Sequence, residues 1–208
     1  MFNSKDSKPQ NRQDFFNEVA PTWDKTFYTV KLANFLTELV PKFNITLGQT
    51  ILDVGTGTGV LIPFLLQAVG NNGHVTAVDF AEKMVEICKT KYDQHPNLTL
   101  LVQQVENLQF PEATFDVVTC FGLFPHLDNK ELALKQLNRV LKPGGKFVIA
   151  HALSSQEIRN HHHNAPAVVA NDELLSESEM RCMLKKTDFI DIEITDKPGC
   201  YLCLSIKA

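Results

Sequence analysis

No run of 18 or more apolar residues occurs in the chain, so no segment has the length and character of a membrane-spanning helix. The opening Met1-Phe2-Asn3-Ser4-Lys5 has no charged stretch followed by an apolar one, so a secretory leader is not expected and the expected location is cytoplasmic. Cysteine is too sparse and too uneven for a disulfide framework. Cys88, Cys120, Cys182, Cys200 and Cys203 make an odd set of five, which agrees with a reducing compartment. Cys200-x-x-Cys203 falls in an apolar strand pattern, where positions three apart face opposite ways, so packing rather than redox or metal chemistry is expected of it. Excess basic charge is also missing. The net charge is −4 with both signs interspersed, which offers no face to DNA or RNA. At 208 residues and 44% hydrophobic content the chain suits one domain and leaves no room for a second, substrate-binding one.

What the chain does have is Ile51-Leu52-Asp53-Val54-Gly55-Thr56-Gly57-Thr58-Gly59, an apolar strand breaking into glycines at every second position. The apolar Val60-Leu61-Ile62 then leads into a helical pattern running to Ala68. Glycines permit dihedrals that other residues avoid and let a ligand approach bare backbone. The helix N-terminus is expected to aim unpaired N–H groups and partial positive charge at the same spot. Twenty residues past Gly59, the apolar run Val75-Thr76-Ala77-Val78 ends in Asp79, where nucleotide-binding α/β folds place the carboxylate that takes ribose hydroxyls. A nicotinamide or flavin fingerprint would need glycine where Val60 stands.

The spacing Asp-x-Gly-x-Gly-x-Gly resembles the first motif of class I S-adenosylmethionine-dependent methyltransferases, in particular small-molecule members similar to the quinone-biosynthesis C-methyltransferases. Three further stretches carry the likeness in the right order: Asp79, the segment Gln103 to Phe110, and Leu141-Lys142-Pro143-Gly144-Gly145. The resemblance implies a Rossmann-like α/β fold: a seven-stranded, mostly parallel sheet with a C-terminal antiparallel hairpin and helices on both faces. It implies S-adenosyl-L-methionine as cofactor, contacted by Asp53, Gly55, Thr56, Gly57, Gly59, Asp79, Phe80, Met84, Gln104, Val105, Glu106 and Phe121. Gln104 departs from the family, which carries there an acid that accepts a hydrogen bond from the adenine amino group; an amide oxygen can accept the same bond without charge.

The expected organisation is a helical cap over residues 1–46, a cofactor-binding core over 47–150, a substrate lid over 151–175 and a closing helix and hairpin over 176–208. Residues 1 to 12 are polar and expected to fray. The stripe Phe15, Phe16, Val19 and Ala20 predicts a helix from Gln13 that stops at Pro21, followed by Trp23-Asp24, a pair which the resemblance would close over the cofactor. Leu32 to Val40 predicts a second helix, ended by Pro41. Phe115 to Cys120 and Phe147 to Ala150 read as strands, and Phe189 to Ile194 with Tyr201 to Ile206 as the hairpin.

Substrate choice is expected of the excursion after the fifth strand, because ligands of parallel sheets lie beyond the strands' carboxyl ends. Four of the seven histidines are in it: His151, His161, His162 and His163. Consecutive helical residues lie about 100° apart, so the triplet cannot converge on one ion, and no metal is expected. His151 and His126 are candidate bases, since imidazole titrates near neutral pH. Trp23, Leu123, Phe124, Arg159 and His162 are candidate substrate contacts, with Arg159 available to a carboxylate or phosphate. The expected reaction is in-line methyl transfer to a small-molecule acceptor at O, N, S or C, by a protein that binds neither nucleic acid nor membrane and for which a homodimer is the assembly considered. Two rivals stand beside it: a non-catalytic protein that binds the same cofactor, and a nucleotide-dependent reductase of related fold.

Overall fold

The computed structural model describes residues 11–208. Seven strands form one sheet in the order β3-β2-β1-β4-β5-β7-β6. They are β1 (Thr50–Val54), β2 (His74–Asp79), β3 (Leu98–Val102), β4 (Phe115–Phe121), β5 (Leu141–His151), β6 (Phe189–Lys197) and β7 (Cys200–Lys207). β1 to β5 pair in parallel, and β7 runs antiparallel to both β5 and β6. The central strands are buried on both faces, by Ile51, Leu52 and Val54 in β1, Val75, Ala77 and Val78 in β2 and Val117, Val118 and Cys120 in β4, because helices cover both sides of the sheet. Alternation along β5 sends Phe147 and Ile149 into one apolar cluster and Val148 and Ala150 into the other. Cys200 and Cys203 split between the same two clusters, one per face, as their spacing requires.

Helices α2 (Val30–Leu39) and α3 (Ile62–Val69) build one layer. Helices α5 (Lys130–Val140), α6 (Ser155–His163) and α7 (Glu177–Lys186) build the other. Helix α4 (Glu82–Tyr92) sends Val85 and Cys88 toward the sheet and Met84 toward α1 (Arg12–Phe27), whose Phe16 and Ala20 pack in a third, smaller cluster. Capping boxes start α6 at Ser154 with Glu157 and α7 at Ser176 with Glu179; a cap of this kind is worth about 1 kcal/mol.

Three expectations need correction. The frayed end predicted for 1–12 lies outside the described residues up to position 10, but Asn11 accepts the Asp14 N–H as the cap of α1, and Arg12 is held by Asp128 and Asp172. Pro21 does not stop the first helix, which continues to Phe27. A proline removes one donor and frees the carbonyl of residue 17, and Pro21 stands on the exposed side, where water can meet that carbonyl. Strand β5 begins at Leu141, not at Phe147, with its register against β4 shifting between Phe115 and Val117 to absorb the Pro-Gly-Gly bend.

Candidate functional site

The carboxyl ends of β1, β2 and β4 converge where two cavities meet, of about 460 and 440 Å³. The cavities share Gly55, Asp79, Phe80, Leu123 and His126. Gly55 and Thr56 donate their N–H groups to the Val78 carbonyl at 2.8 and 3.0 Å, which folds the loop down onto β2. Gly57 donates to Asp79 Oδ2 at 2.8 Å, and Ala81 donates to Oδ1 at 2.9 Å. Asp79 therefore sets the loop's shape while its carboxylate lines both cavities. Gly55 is required here twice over: its φ is +68°, and a Cβ would stand 2.8 Å from Leu123.

Two buried carboxylates flank the loop. Burial pushes the Asp79 carboxyl up to about 6 against the N–H groups of Ala81 and Gly57. Burial likewise pushes Asp53 up to about 6, partly offset by the Thr119 hydroxyl that donates to Oδ1 at 2.7 Å. Neither Asp53 Oδ2 nor Thr56 Oγ1 has a hydrogen-bond partner. Of the two, only Asp79 lines the cavities, and an anionic carboxylate in low dielectric there favours a positive or hydrogen-bond-donating ligand group. The expected helix N-terminus does not contribute. Ile62 N–H bonds to Gly59 O, Phe64 and Leu65 N–H to Leu61 O, and Pro63 has no N–H, so the first turn of α3 is internally satisfied.

Gly55, Thr56, Gly57, Asp79, Phe80, Met84 and Phe121 line the larger cavity; Gln104, Val105 and Glu106 line the smaller. Two residues of the expected cofactor set line neither. Asp53 lies beneath the loop, and Gly59 turns toward α4, where a Cβ would stand 2.6 Å from Cys88 Sγ. Gly59 is thus a packing requirement, with a φ of +88°.

Among the expected substrate contacts, Trp23 and Leu123 line the larger cavity, and His126 lines both. Three do not reach it. Phe124 is fully buried with Leu127 and Leu134 in the core, because the short turn after β4 rolls it under α5. Arg159 points outward, half-exposed, to Glu173 at 3.2 Å. His162 turns inward to the Asp172 carbonyl, and it is His161 that lines the cavity, 6.3 Å from the Phe27 ring. The triplet does diverge, and among the described residues no group of three or more His, Cys, Asp or Glu side chains could hold a metal.

His151 lines the larger cavity but is buried, with Nε2 unpartnered; burial, reinforced by His126 and His162, pushes its imidazole down to about 3. It is neutral at physiological pH and too weak a base for the role expected of it; a hydrogen-bonding role remains open to it. His126 is placed differently. Its Nδ1 lies 2.7 Å from Asp172 Oδ2, and Nε2 makes no hydrogen bond among the described residues.

The sequence reading missed two ties that close the site. Asp24 accepts from the Thr58 hydroxyl and from Lys91 Nζ at 2.7 Å, which latches α1 to both the glycine loop and α4. Arg12, which lines the smaller cavity with Asp128, bridges Asp128 and Asp172. No local pattern announces partners 34 to 160 residues apart.

The comparisons with known proteins agree with this layout. A family model described as a methyltransferase domain matches residues 51–145. A demethylmenaquinone methyltransferase of Staphylococcus saprophyticus is 35% identical over 146 residues, covering 68% of this chain and 62% of that protein. One from Staphylococcus haemolyticus is 42% identical over 106 residues, covering 50% and 44%. The chain thus spans about half to three fifths of the length of these curated relatives. Among solved structures, a SAM-dependent methyltransferase from Aquifex aeolicus superposes with a TM-score of 0.69 at 23% identity over 94% of this chain and 98% of its own. A phosphoethanolamine N-methyltransferase of Haemonchus contortus, solved with S-adenosylhomocysteine, gives 0.69 at 18% identity, covering 84% and 52%. Neither rival activity finds support in these matches. The glycine loop on bare backbone, the Asp79 carboxylate in the crevice, the strand order and the sequence relatives lead to one assignment: residues 51–145 are a methyltransferase domain of the S-adenosylmethionine-dependent kind.

Proposed function

We propose that the protein transfers a methyl group from S-adenosylmethionine to a flat, apolar ring compound of the naphthoquinol kind. The residues present fit the cofactor: a loop without side chains at Gly55 and Gly57, an orphaned Thr56 hydroxyl, and the buried Asp79 carboxylate at the wall of both cavities, suited to a molecule that carries positive charge and hydroxyl donors. Gln104, Val105 and Glu106 would hold the adenine in the smaller cavity, Asp79 the ribose, and Thr56 and Gly57 the methionine end. When bound, the cofactor supplies an electrophilic methyl group on positively charged sulfur.

Everything else falls to the chain. The observation that carries the acceptor class is the wall of the larger cavity, which is aromatic on several sides: Phe16, Trp23, Phe27, Phe35 and Phe121. Such walls bind a planar ring by area and by stacking and expel water, and displacement at a sulfonium needs alignment and a dry pocket above all. The relatives named for demethylmenaquinone support the same class. His126 stands where the two cavities meet, and its Nε2 takes the proton that the acceptor sheds as its new bond to the methyl carbon forms.

Anaerobic incubation with S-adenosylmethionine and 1,4-naphthoquinol, followed by mass spectrometry, tests the reading. A product heavier by one CH2, absent when Asp79 is replaced by Ala, supports it. Efficient methylation of small amines or phosphobases with none of the quinol overturns the acceptor class.

A further inference from the structure

Three features adjoin the cofactor crevice: the apolar rim of Phe27, Tyr28, Val30 and Leu153, the orphaned Tyr201 hydroxyl behind His151, and the ionic cluster around Asp172. Nothing fixes an occupant for the rim, and Tyr201 does not line the cavity. The Asp172 cluster leads further.

Asp172 is 5% exposed, yet it lies in the excursion between α6 and α7, flanked by the exposed Asn171 and Glu173. Its position is over-determined. One carboxylate oxygen faces His126 Nδ1 at 2.7 Å; Arg12 bonds both oxygens; and its own carbonyl faces His162 Nδ1. A carbonyl can only accept, so His162 Nδ1 carries a proton, and burial favours the neutral ring. One tether on its own stretch, from His162, and one from α1, through Arg12, thus hold a carboxylate against a single imidazole nitrogen. Although burial pushes the Asp172 carboxyl up, the hydrogen bonds from His126 and Arg12 outweigh it and hold the group below its usual value. An ionised carboxylate can only accept, so the facing Nδ1 of His126 is the protonated nitrogen. In the neutral ring the lone pair is then on Nε2. The His126 ring is further fixed edge-on to Phe16 at 5.2 Å and beside His162 at 4.9 Å.

We infer that Asp172 is the positioning residue of the proton acceptor: it fixes the tautomer and the ring orientation of His126 so that the basic Nε2 faces the junction of the two cavities. This rests on the reading of His126 given above. A purely structural Asp172 would fasten the excursion to α1 through Arg12 and leave the tautomer of His126 indifferent to its charge. The tautomer of His126 thus depends on two other segments, since Asp172 comes from the excursion and its counter-charge Arg12 from the first helix.

The test reads the imidazole directly. In 15N-labelled protein saturated with S-adenosylhomocysteine, long-range 15N–1H correlation spectra are expected to show neutral His126 as the Nδ1–H tautomer. An Nε2–H tautomer in the unsubstituted protein overturns the inference without any variant. In Asp172→Asn the side-chain amide can donate to Nδ1, so the Nε2–H tautomer is expected to appear. Methyl transfer to 1,4-naphthoquinol is expected to fall in kcat by about 10²-fold, with S-adenosylhomocysteine affinity within about twofold of the parent. If His126→Asn turns over as fast as the parent, the role of His126 itself fails. If His126→Asn is slow while Asp172→Asn keeps both tautomer and kcat, His126 stands and the positioning role of Asp172 fails.

Discussion

Asp79→Asn probes the electrostatics of the crevice without removing its shape. With its carboxyl raised from 3.8 to about 6, Asp79 binds a proton more tightly in the folded than in the unfolded chain. The folded state then gains stability as pH falls from about 6 toward 3.8, and carries the cost of the buried charge above about 6. A gap of about two pH units corresponds to roughly 3 kcal/mol in full, of which about 1.4 kcal/mol is gained between pH 7.5 and 5.0. The asparagine variant lacks this titration, although its amide opposes an N–H of Gly57 or Ala81, an offset of about 1–3 kcal/mol at every pH. Urea unfolding of both proteins at the two pH values reads this term together with the smaller change in Asp53, whose carboxyl Asp79 helps to raise; groups away from Asp79 cancel in the difference. The stability of the parent relative to the variant is expected to rise by about 1.4 kcal/mol on going to the lower pH. Parallel curves, with the difference constant within about 0.3 kcal/mol, would refute the claim that Asp79 is held as a costly buried anion.

Other positions test other parts of the account. Gly59→Ala combines a φ of +88° with a Cβ 2.6 Å from Cys88 Sγ, so thermal or urea unfolding should show a loss of about 2–4 kcal/mol. Asp24→Ala cuts the latch between α1, Thr58 and Lys91. The Lys91 ion pair is partly exposed and adds little, but the buried Thr58 hydroxyl loses its acceptor, so stability should fall by about 1–2 kcal/mol, and titration calorimetry should show S-adenosylhomocysteine binding weakened about five- to tenfold. His151, lowered from 6.5 to about 3, contributes stability that is present above about 6.5 and lost as pH falls toward 3. His151→Leu should therefore remove about 2 kcal/mol of the acid sensitivity between pH 7.5 and 5.0 in denaturant titrations.

The sequence showed the core of the fold through local signals. Alternating glycines after an apolar run, Asp79 at the end of the next strand, and Pro-Gly-Gly before β5 each impose backbone geometry within a few residues, and the sheet order followed from the family likeness they carry. Single-residue rules failed where tertiary context decides. Pro21 looked like a stop because a proline breaks the helix ladder, but one freed carbonyl on a wet face is cheap. Gly59 and Asp53 belong to the motif yet line no cavity, since a motif preserves the packing beneath a loop as well as the surface above it. His162 and Arg159 share a short helix, and only the packing of that helix against 126 and 172 determines which of its faces is inside. The Arg12–Asp172–His126 cluster joins three distant segments, and no spacing rule reaches across 160 residues.

The central claim is that the crevice over Gly55, Gly57 and Asp79 takes a sulfonium nucleoside. Titration calorimetry with S-adenosylhomocysteine measures this directly. Micromolar binding to the parent, lost in Asp79→Ala, is the result expected; selective tight binding of NADH with no response to S-adenosylhomocysteine would contradict it.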